Sequence, residues 1–182
     1  MPTYVAMLRG INLGPHKRVK MEALRKSFES AGLRNVQTYI QSGNVVFKAG
    51  KTSSATLRKK IEEQITGDLG FSSLTILRSQ EELGKVIKAN PFLKQAGANH
   101  EGLHVIFLPK PPETDVLKQL QSLTKAPDES CCLGQEIYLH LPNGFSRSSM
   151  MNNPIERKFL VQATTRNWRT VNNIYQMCLG CE

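Results

Sequence analysis

The 182-residue sequence has no long apolar run, and this absence limits the class of protein. Its best apolar stretches, residues 5–8 and 105–108, fall far short of the roughly 20 residues that a helix needs to cross a bilayer. The first residues lack the basic segment of a secretory signal, and Arg9 interrupts the apolar run that follows them. With 40% hydrophobic and 21% charged residues, we expect a folded, cytoplasmic protein without a membrane span.

The sequence also lacks the motifs of common metal and catalytic sites. Its cysteines form a vicinal pair, Cys131 and Cys132, and a C-x-x-C of Cys178 and Cys181 at the end of a helical pattern. Zinc sites usually use two separated knuckles, and a redox C-x-x-C opens a helix, so we expect no metal and no cofactor. Ser42 is not in a Gly-x-Ser-x-Gly motif, and no P-loop or dinucleotide-binding glycine pattern occurs.

The net charge of +9 is concentrated in the first 52 residues. This segment has nine Lys and Arg residues against Glu22 and Glu29, a net +7, whereas residues 100–142 have three basic and six acidic residues, a net −3. Such an asymmetry favours an anionic partner, nucleic acid above all, or two modules that attract one another. It is also typical of a basic surface that keeps a protein soluble.

The first 78 residues have the pattern of a β-α-β-β-α-β module. Ser42-Gly43 between two β-rich runs predicts a hairpin with a two-residue turn, in which the glycine supplies a positive φ. The expected elements are a strand at 3–9, a helix from Met21, strands at 36–40 and 44–47, a helix capped by Ser53 or Ser54, and a strand at 73–77. This order is that of a ferredoxin-like plait.

A connector and a second module are predicted after the first. Ser79 and Glu82 form a capping box for a connector helix and linker over 79–99, and the same order of elements restarts over 100–182. The expected elements are strands at 103–108, around Ser130, at 136–141 and at 162–165, helices at 114–123 and behind Asn153, and a terminal helix with Trp168. The predicted fold class is α+β, with two ferredoxin-like modules in one compact protein and a terminal helix.

The predicted hairpin has two different faces. The apolar face should meet the helices; its members are Val36, Thr38, Ile40, Val45 and Phe47. The mixed face is either a binding platform or an internal surface half covered by the second module; it combines Gln37, Tyr39, Gln41, Asn44, Val46 and Lys48 with Thr3, Val5, Met7 and Arg9 of the first strand. Since Tyr39 is nearly its only aromatic residue, base stacking of the RNA-recognition-motif type is not expected.

Candidate anion-binding residues occur in both halves of the chain. Glycines in the loop after the first strand allow backbone N–H groups to approach an anion, and basic side chains add charge. In the second half, serine and arginine together suit phosphate or carboxylate. The candidates are Arg9, Asn12, Lys17, Arg18, Asn44 and Lys48 in the first half, and Arg147, Ser148 and Arg166 in the second.

Two classes of function fit these residues. One is a binding module for nucleic acid or a nucleotide. The other is an enzyme that acts on a small phosphorylated or carboxylated substrate between the modules, with Arg147 and Arg166 as electrostatic clamps. No His, Glu or Cys stands where its sequence context marks it as acid, base or nucleophile, and this favours binding. Catalytic residues and oligomeric state stay open.

Several longer strings resemble one known family. They are TYVAMLRGIN, TYIQSGNVVF and TTRNWRT, with Asn90-Pro91-Phe92 and Arg147-Ser148 between them. Together they resemble the bacterial domain-of-unknown-function family 1697 over nearly the whole chain. The resemblance implies two plait-like α+β modules and no assigned reaction. Its characteristic polar positions match Arg9, Asn12, Gln41, Ser42, Asn44, Arg147, Arg166, Asn167 and Trp168.

Overall fold

The computed structural model describes residues 1–95, 100–148, 157 and 162–181. The elements are β1 (Thr3–Leu8), α1 (Met21–Ser30), β2 (Arg34–Tyr39), β3 (Asn44–Lys48), α2 (Ser54–Leu69), β4 (Thr75–Ser79), α3 (Gln80–Ala89), β5 (Leu103–Phe107), α4 (Thr114–Leu123), β6 (Glu129–Leu133), β7 (Glu136–His140), a 3₁₀ turn (Phe145–Arg147), β8 (Thr164–Asn167) and α5 (Trp168–Leu179). The helix predicted behind Asn153 lies outside the described residues. None of the described helices has the length and apolarity of a membrane span.

The chain divides into two compact units, residues 1–84 with 173–182, and residues 85–172. Each contains one four-stranded antiparallel sheet, of order β2-β3-β1-β4 in the first unit and β6-β7-β5-β8 in the second. Numbered within its own unit, each sheet has the strand order of a ferredoxin-like plait. The predicted α+β fold of two modules with a terminal helix is confirmed. The predicted module boundaries at residues 78 and 100 stay predictions.

Helices α1 and α2 cover one face of the first sheet. The core of this unit includes Phe28 of α1, Leu57 of α2 and Phe47 of β3, all buried. The rings of Phe28 and Phe47 meet edge-on with centroids 5.4 Å apart. The N–H of Thr56 donates to Ser53 Oγ at 3.0 Å, so α2 begins behind one of its two predicted caps. Val36, Val45 and Phe47 of the predicted apolar hairpin face belong to this core, whereas Ile40 of that face lies beyond β2 and is 50% exposed.

The β2–β3 hairpin has a longer loop than the predicted two-residue turn. Tyr39 pairs with Asn44, so the loop contains four residues, 40–43. The Asn44 amide donates to the Tyr39 carbonyl oxygen at 3.2 Å and to Ser42 Oγ at 2.8 Å, and these bonds stabilise the wider loop. From Gln37 to Tyr39 the register differs from the predicted one by two residues, so these side chains stay on their predicted faces, and the register shifts again between Arg34 and Gln37.

The mixed face of the first sheet is buried at its apolar positions. On this face Val5, Met7 and Val46 are each at most 1% exposed. Asn173, a residue of α5 that belongs to the same unit, donates a hydrogen bond to the hydroxyl oxygen of Tyr39. The part of this face around Val5, Met7 and Val46 is therefore closed to a ligand, whereas Gln37 and Gln41 are exposed.

The second unit repeats this arrangement with different side chains. Leu120 of α4 packs with Ile137 and Leu139 of β7 on one face of the sheet. Tyr138 lies between these two residues in sequence and therefore on the opposite face, where its hydroxyl donates to the Val86 carbonyl oxygen of α3 at 3.0 Å. Both faces of β7 are buried as a result.

Strands β4 and β8 run directly into helices through a capping residue. Ser79 Oγ accepts from the Glu82 N–H at 3.1 Å, and the Ser79 N–H donates to the Glu82 carboxylate at 2.7 Å, which confirms the predicted capping box. Asn167 caps α5 by accepting from the Thr170 N–H at 2.8 Å. The two units therefore share their strand order and the way that the last strand ends.

Candidate functional site

The connection from β1 to α1, residues 9–20, is closed by one side chain. The Asn12 amide donates to the carbonyl oxygens of Val19 at 3.1 Å and Gln41 at 2.9 Å, and its Oδ1 accepts from the Val19 N–H at 2.9 Å. The Asn12 backbone N–H donates to the Lys17 carbonyl oxygen at 3.1 Å. Positive φ angles of 55° at Asn12 and 53° at Lys17 turn the chain back on itself. Asn12 thus stabilises the conformation of the loop, and its side-chain oxygen and nitrogen already form hydrogen bonds within the chain.

The loop exposes basic side chains that no described carboxylate neutralises. Lys17, Arg18 and Lys20 are exposed, and none of them forms an ion pair within the described part of the chain. Lys17 Nζ donates to the Ser72 carbonyl oxygen at 2.8 Å, and Arg18 Nε donates to the Gly14 carbonyl oxygen at 3.2 Å. An ammonium has three N–H donors and a guanidinium has five, so both retain donors for a ligand.

Arg9 and Lys48 lie at opposite ends of β1. Arg9 follows the strand directly, at the start of the loop, and its backbone N–H donates to the Leu74 carbonyl oxygen at 2.9 Å. Lys48 pairs opposite Thr3, the first residue of the strand. Extended chain of this length separates the two positions by about 20 Å. The candidate anion-binding residue Lys48 therefore lies away from this loop, and the basic loop consists of residues 9–20.

The hairpin loop of residues 40–43 accepts a hydrogen bond from Asn12 of the basic loop, and its conformation depends on the buried residues Gly43 and Asn44. Gly43 has a φ of 76°, and a Cβ there would lie 2.6 Å from Ile11 Cδ1 and 2.9 Å from Leu8 Cβ, so the close approach requires glycine. Asn44 is 0% exposed and its amide bonds to the hairpin loop. The predicted site residue Asn44 is thus a buried residue that stabilises the hairpin loop and is not exposed to a ligand.

The second-unit candidates have unequal access to solvent. Arg166 is 7% exposed and donates to Thr164 Oγ1 at 2.6 Å, and burial lowers the pKa of its guanidinium to about 10. It therefore stays protonated at neutral pH. Ser148 is buried and donates to the Asp128 carboxylate at 2.7 Å. Arg147, in the 3₁₀ turn, is the one candidate of these three with an exposed side chain.

Arg166 has a structural counterpart that no sequence motif reveals. Arg78 lies opposite Val5 in the first sheet, as Arg166 lies opposite Val105 in the second. Both arginines are buried, and each donates to a carbonyl oxygen of its own strand. Each also directly precedes the residue that caps the following helix, Ser79 or Asn167. The shared position indicates that Arg166 belongs to the architecture of the sheet.

A cavity lies within the second unit. Its volume is about 750 Å³, and Asn167, Trp168 and Arg169 form part of its lining. Asn167, Trp168 and Arg169 belong to the string TTRNWRT, whereas His100 and Glu101 also line the cavity but belong to no motif. The tertiary structure alone brings these two segments together.

The cysteines are free thiols. Burial raises the pKa of Cys178 to about 12, so this thiol is protonated, and hence unreactive, at neutral pH. The pKa of Cys132 is also raised, chiefly by burial. Within the residues that the structure describes, no group of three metal-ligating side chains occurs.

Fold and sites together define an α+β protein of two ferredoxin-like modules with a basic loop and a separate cavity. Residues 1–138 match the family described as "Protein of unknown function (DUF1697)", and the chain belongs to this family, which confirms the resemblance. The structure of a conserved bacterial protein from Streptococcus pneumoniae is similar, with a TM-score of 0.79, 25% sequence identity, and coverage of 97% of this chain and 98% of that chain. No curated protein matches the chain.

Proposed function

We propose that this protein is a binding module whose basic loop, residues 9–20, engages the phosphate backbone of a nucleic acid. The observation that carries this proposal is the exposure of Lys17, Arg18 and Lys20 without an ion pair to any described carboxylate. Attraction of this kind supplies nearly all non-specific affinity for nucleic acids. The net +7 of residues 1–52 extends the positive potential beyond the loop.

The shape of the loop supports the proposal because it is set before a partner binds. The bonds of Asn12 close the loop, and the bonds from Lys17 to Ser72 and from Arg18 to Gly14 restrict the two cationic side chains. A preorganised loop loses less conformational freedom on binding than a flexible one. More of the electrostatic attraction is therefore retained as affinity.

Leu13 adds an apolar contact beside the cations. Its side chain is 82% exposed, although large hydrophobic residues are usually buried. Basic residues that hold phosphates place neighbouring apolar side chains against sugars and bases. Leu13 supports a nucleic acid as the anion over an inorganic ion, which offers no apolar surface.

The distribution of charge favours a polymer over a mononucleotide. The cations occupy separate exposed positions in the loop, and a nucleotide site needs groups that converge on one phosphate cluster. The loop also lacks the Gly-Lys-Ser/Thr end of a P-loop. A single strand presents successive phosphates to successive cations, so it matches this arrangement better.

Fluorescence anisotropy with a labelled single-stranded DNA of about 20 nucleotides tests the proposal. We expect binding at about 50 mM salt, with affinity that falls as salt increases. In the Lys17→Ala/Arg18→Ala variant we expect affinity to decrease about tenfold at this salt concentration. The log–log salt dependence should become shallower by about 1.4, since each single-strand phosphate contributes about 0.7.

A matched control variant distinguishes the effect of the loop cations from the effect of a lower net charge. Lys26→Ala/Lys59→Ala removes the same two positive charges, but Lys26 is paired with Glu22 at 3.1 Å and Lys59 with Glu63 at 3.7 Å. We expect this control to retain most of the affinity. Equal losses in the two double variants, or no binding at about 50 mM salt, would contradict the proposal. Displacement of the DNA by stoichiometric ATP would contradict the preference for a polymer.

A further inference from the structure

The cavity of the second unit has the size of a site for a small organic molecule. Its volume of about 750 Å³ falls within the range of roughly 300–1,000 Å³ that is usual for ligand sites. The lining combines apolar, aromatic, charged and amide side chains: Ile87, Leu93, His100, Glu101, His104, Asn167, Trp168, Arg169 and Asn172. All of these residues belong to the unit of residues 85–172, whereas the basic loop belongs to the other unit.

The lining of the cavity includes an exposed cation. Arg169 is exposed and forms no ion pair with a described carboxylate. Glu101, the acidic residue of the lining, already has a partner within the chain. The planar guanidinium matches the two oxygens of a carboxylate in geometry as well as in charge. Arg169 therefore favours a ligand with a carboxylate group.

His104 adds a hydrogen-bond acceptor to the lining. Its Nδ1 lies 3.3 Å from the Gly102 carbonyl oxygen, and a carbonyl oxygen only accepts, so Nδ1 carries the proton. Burial lowers the pKa of this imidazole, and the ring is neutral at pH 7. In a neutral ring protonated at Nδ1, Nε2 accepts hydrogen bonds. A ligand matched to this cavity therefore also has an O–H or N–H donor.

The remaining lining suits a planar apolar body. Trp168 is 4% exposed, so its indole is fixed by packing, and Ile87 and Leu93 add aliphatic surface. A ligand ring in the cavity would contact the small part of this indole that stays accessible, and aromatic contacts are favourable beyond the apolar area that they bury. The cavity is also far larger than a carboxylate or phosphate ion alone would need.

We propose that this cavity binds a small aromatic carboxylate that carries a hydroxyl or N–H donor. Arg169 binds the carboxylate, Trp168 contacts the aromatic ring, and His104 accepts the donor hydrogen. The site is independent of nucleic-acid binding by the basic loop, so either proposal can fail without the other.

The single tryptophan of the chain makes the test direct, because its indole N–H gives one resonance in a ¹⁵N-correlated NMR spectrum. The probes are 6-hydroxy-2-naphthoate, its neutral amide 6-hydroxy-2-naphthamide, and the ether 6-methoxy-2-naphthoate, which lacks the donor. We expect the hydroxynaphthoate to shift the Trp168 resonance with saturation. The amide and the ether should each bind about tenfold more weakly, since each loses one hydrogen-bonding interaction.

Two variants assign the contacts. Arg169→Gln should weaken the naphthoate about tenfold and leave the amide unchanged, whereas Lys118→Gln, an equal charge change at an exposed position of α4, should leave both unchanged. His104→Phe should abolish the preference for the hydroxyl over the ether. A Trp168 resonance that does not move at millimolar hydroxynaphthoate would overturn the proposal. Equal affinities of the three probes for the unaltered protein would also overturn the proposal, and this measurement needs no variant.

Discussion

The same strand order supports two different first connections in the two units. In the first unit, residues 9–20 join β1 to α1 with four basic residues, no acidic residue and two positive φ angles at non-glycine positions. In the second, residues 108–113 join β5 to α4 in half that length, with three prolines, one lysine and one glutamate. Proline presets φ and stiffens a short connection. The scaffold is therefore shared, and the charged, shaped loop belongs to one unit alone.

The helices that follow β4 and β8 differ in the residues of their first turns. The first turn of α3 contains Glu81 and Glu82, whereas that of α5 contains Trp168 and Arg169, which line the cavity. The basic loop and the cavity thus occur in different units and at different points of the shared topology. Function in this fold is expected to follow such local differences, because one scaffold accommodates many sites.

The largest expected difference between the units concerns their hairpin glycines. Gly43→Ala combines a strained positive φ with overlap against Ile11 and Leu8, so we expect it to lower the free energy of unfolding by about 3 kcal/mol. Gly134→Ala in the β6–β7 hairpin has positive φ but meets only Glu136 Oε2 at 4.0 Å, so we expect about 1 kcal/mol. Urea denaturation followed by circular dichroism measures both. Equal costs would show that packing around Gly43 relaxes freely.

A smaller difference is expected between two tyrosine hydroxyls. Tyr138→Phe removes a buried hydrogen bond to the Val86 carbonyl oxygen and should cost about 1 kcal/mol. Tyr39→Phe removes the acceptor of a bond from Asn173 at a half-buried position, where water replaces the lost partner, and should cost about 0.5 kcal/mol. The same denaturation experiment decides the order. A larger loss for Tyr39→Phe would reverse this comparison of the two units.

The smallest expected effect is on the pH dependence of stability. His104 in β5 occupies the position of Tyr4 in β1, since the two residues pair with Asn167 and Ser79, respectively. Burial lowers the pKa of folded His104, so the unfolded chain takes up the proton first as pH decreases, and the free energy of unfolding falls below about pH 6.5. His104→Phe should make this decrease shallower. Denaturation at a series of pH values checks this, and superimposable profiles would refute it.

Much of the fold could be predicted because the signals are local. The apolar spacing of α1, the Ser53 cap of α2 and the capping box at Ser79 each depend on residues a few positions apart. The hairpin loop was different. Its length depends on the bonds of the buried Asn44, and the local pattern Ser42-Gly43 is compatible with a shorter turn.

The candidate site was predictable in its charge and less so in its geometry. The basic residues of the loop are visible in the sequence, but the role of Asn12 depends on Gln41, which is distant in the chain. The position of Lys48 depends on its pairing with Thr3. The lining of the cavity combines His100 and Glu101 with residues more than sixty positions away, a proximity that no local pattern encodes.

The amino-acid order alone specifies the elements, their chain order and the excess of positive charge, because periodicity, caps and charge are properties of neighbouring residues. Long-range packing specifies strand pairing, the exposure of each face and the shape of the cavity. Strand pairing separates Lys48 from Arg9 and buries Val5 and Val46 on a face that the alternation pattern leaves open. The physical reason is that exposure, register and cavity shape arise from contacts between distant segments, which form only when the whole chain has folded.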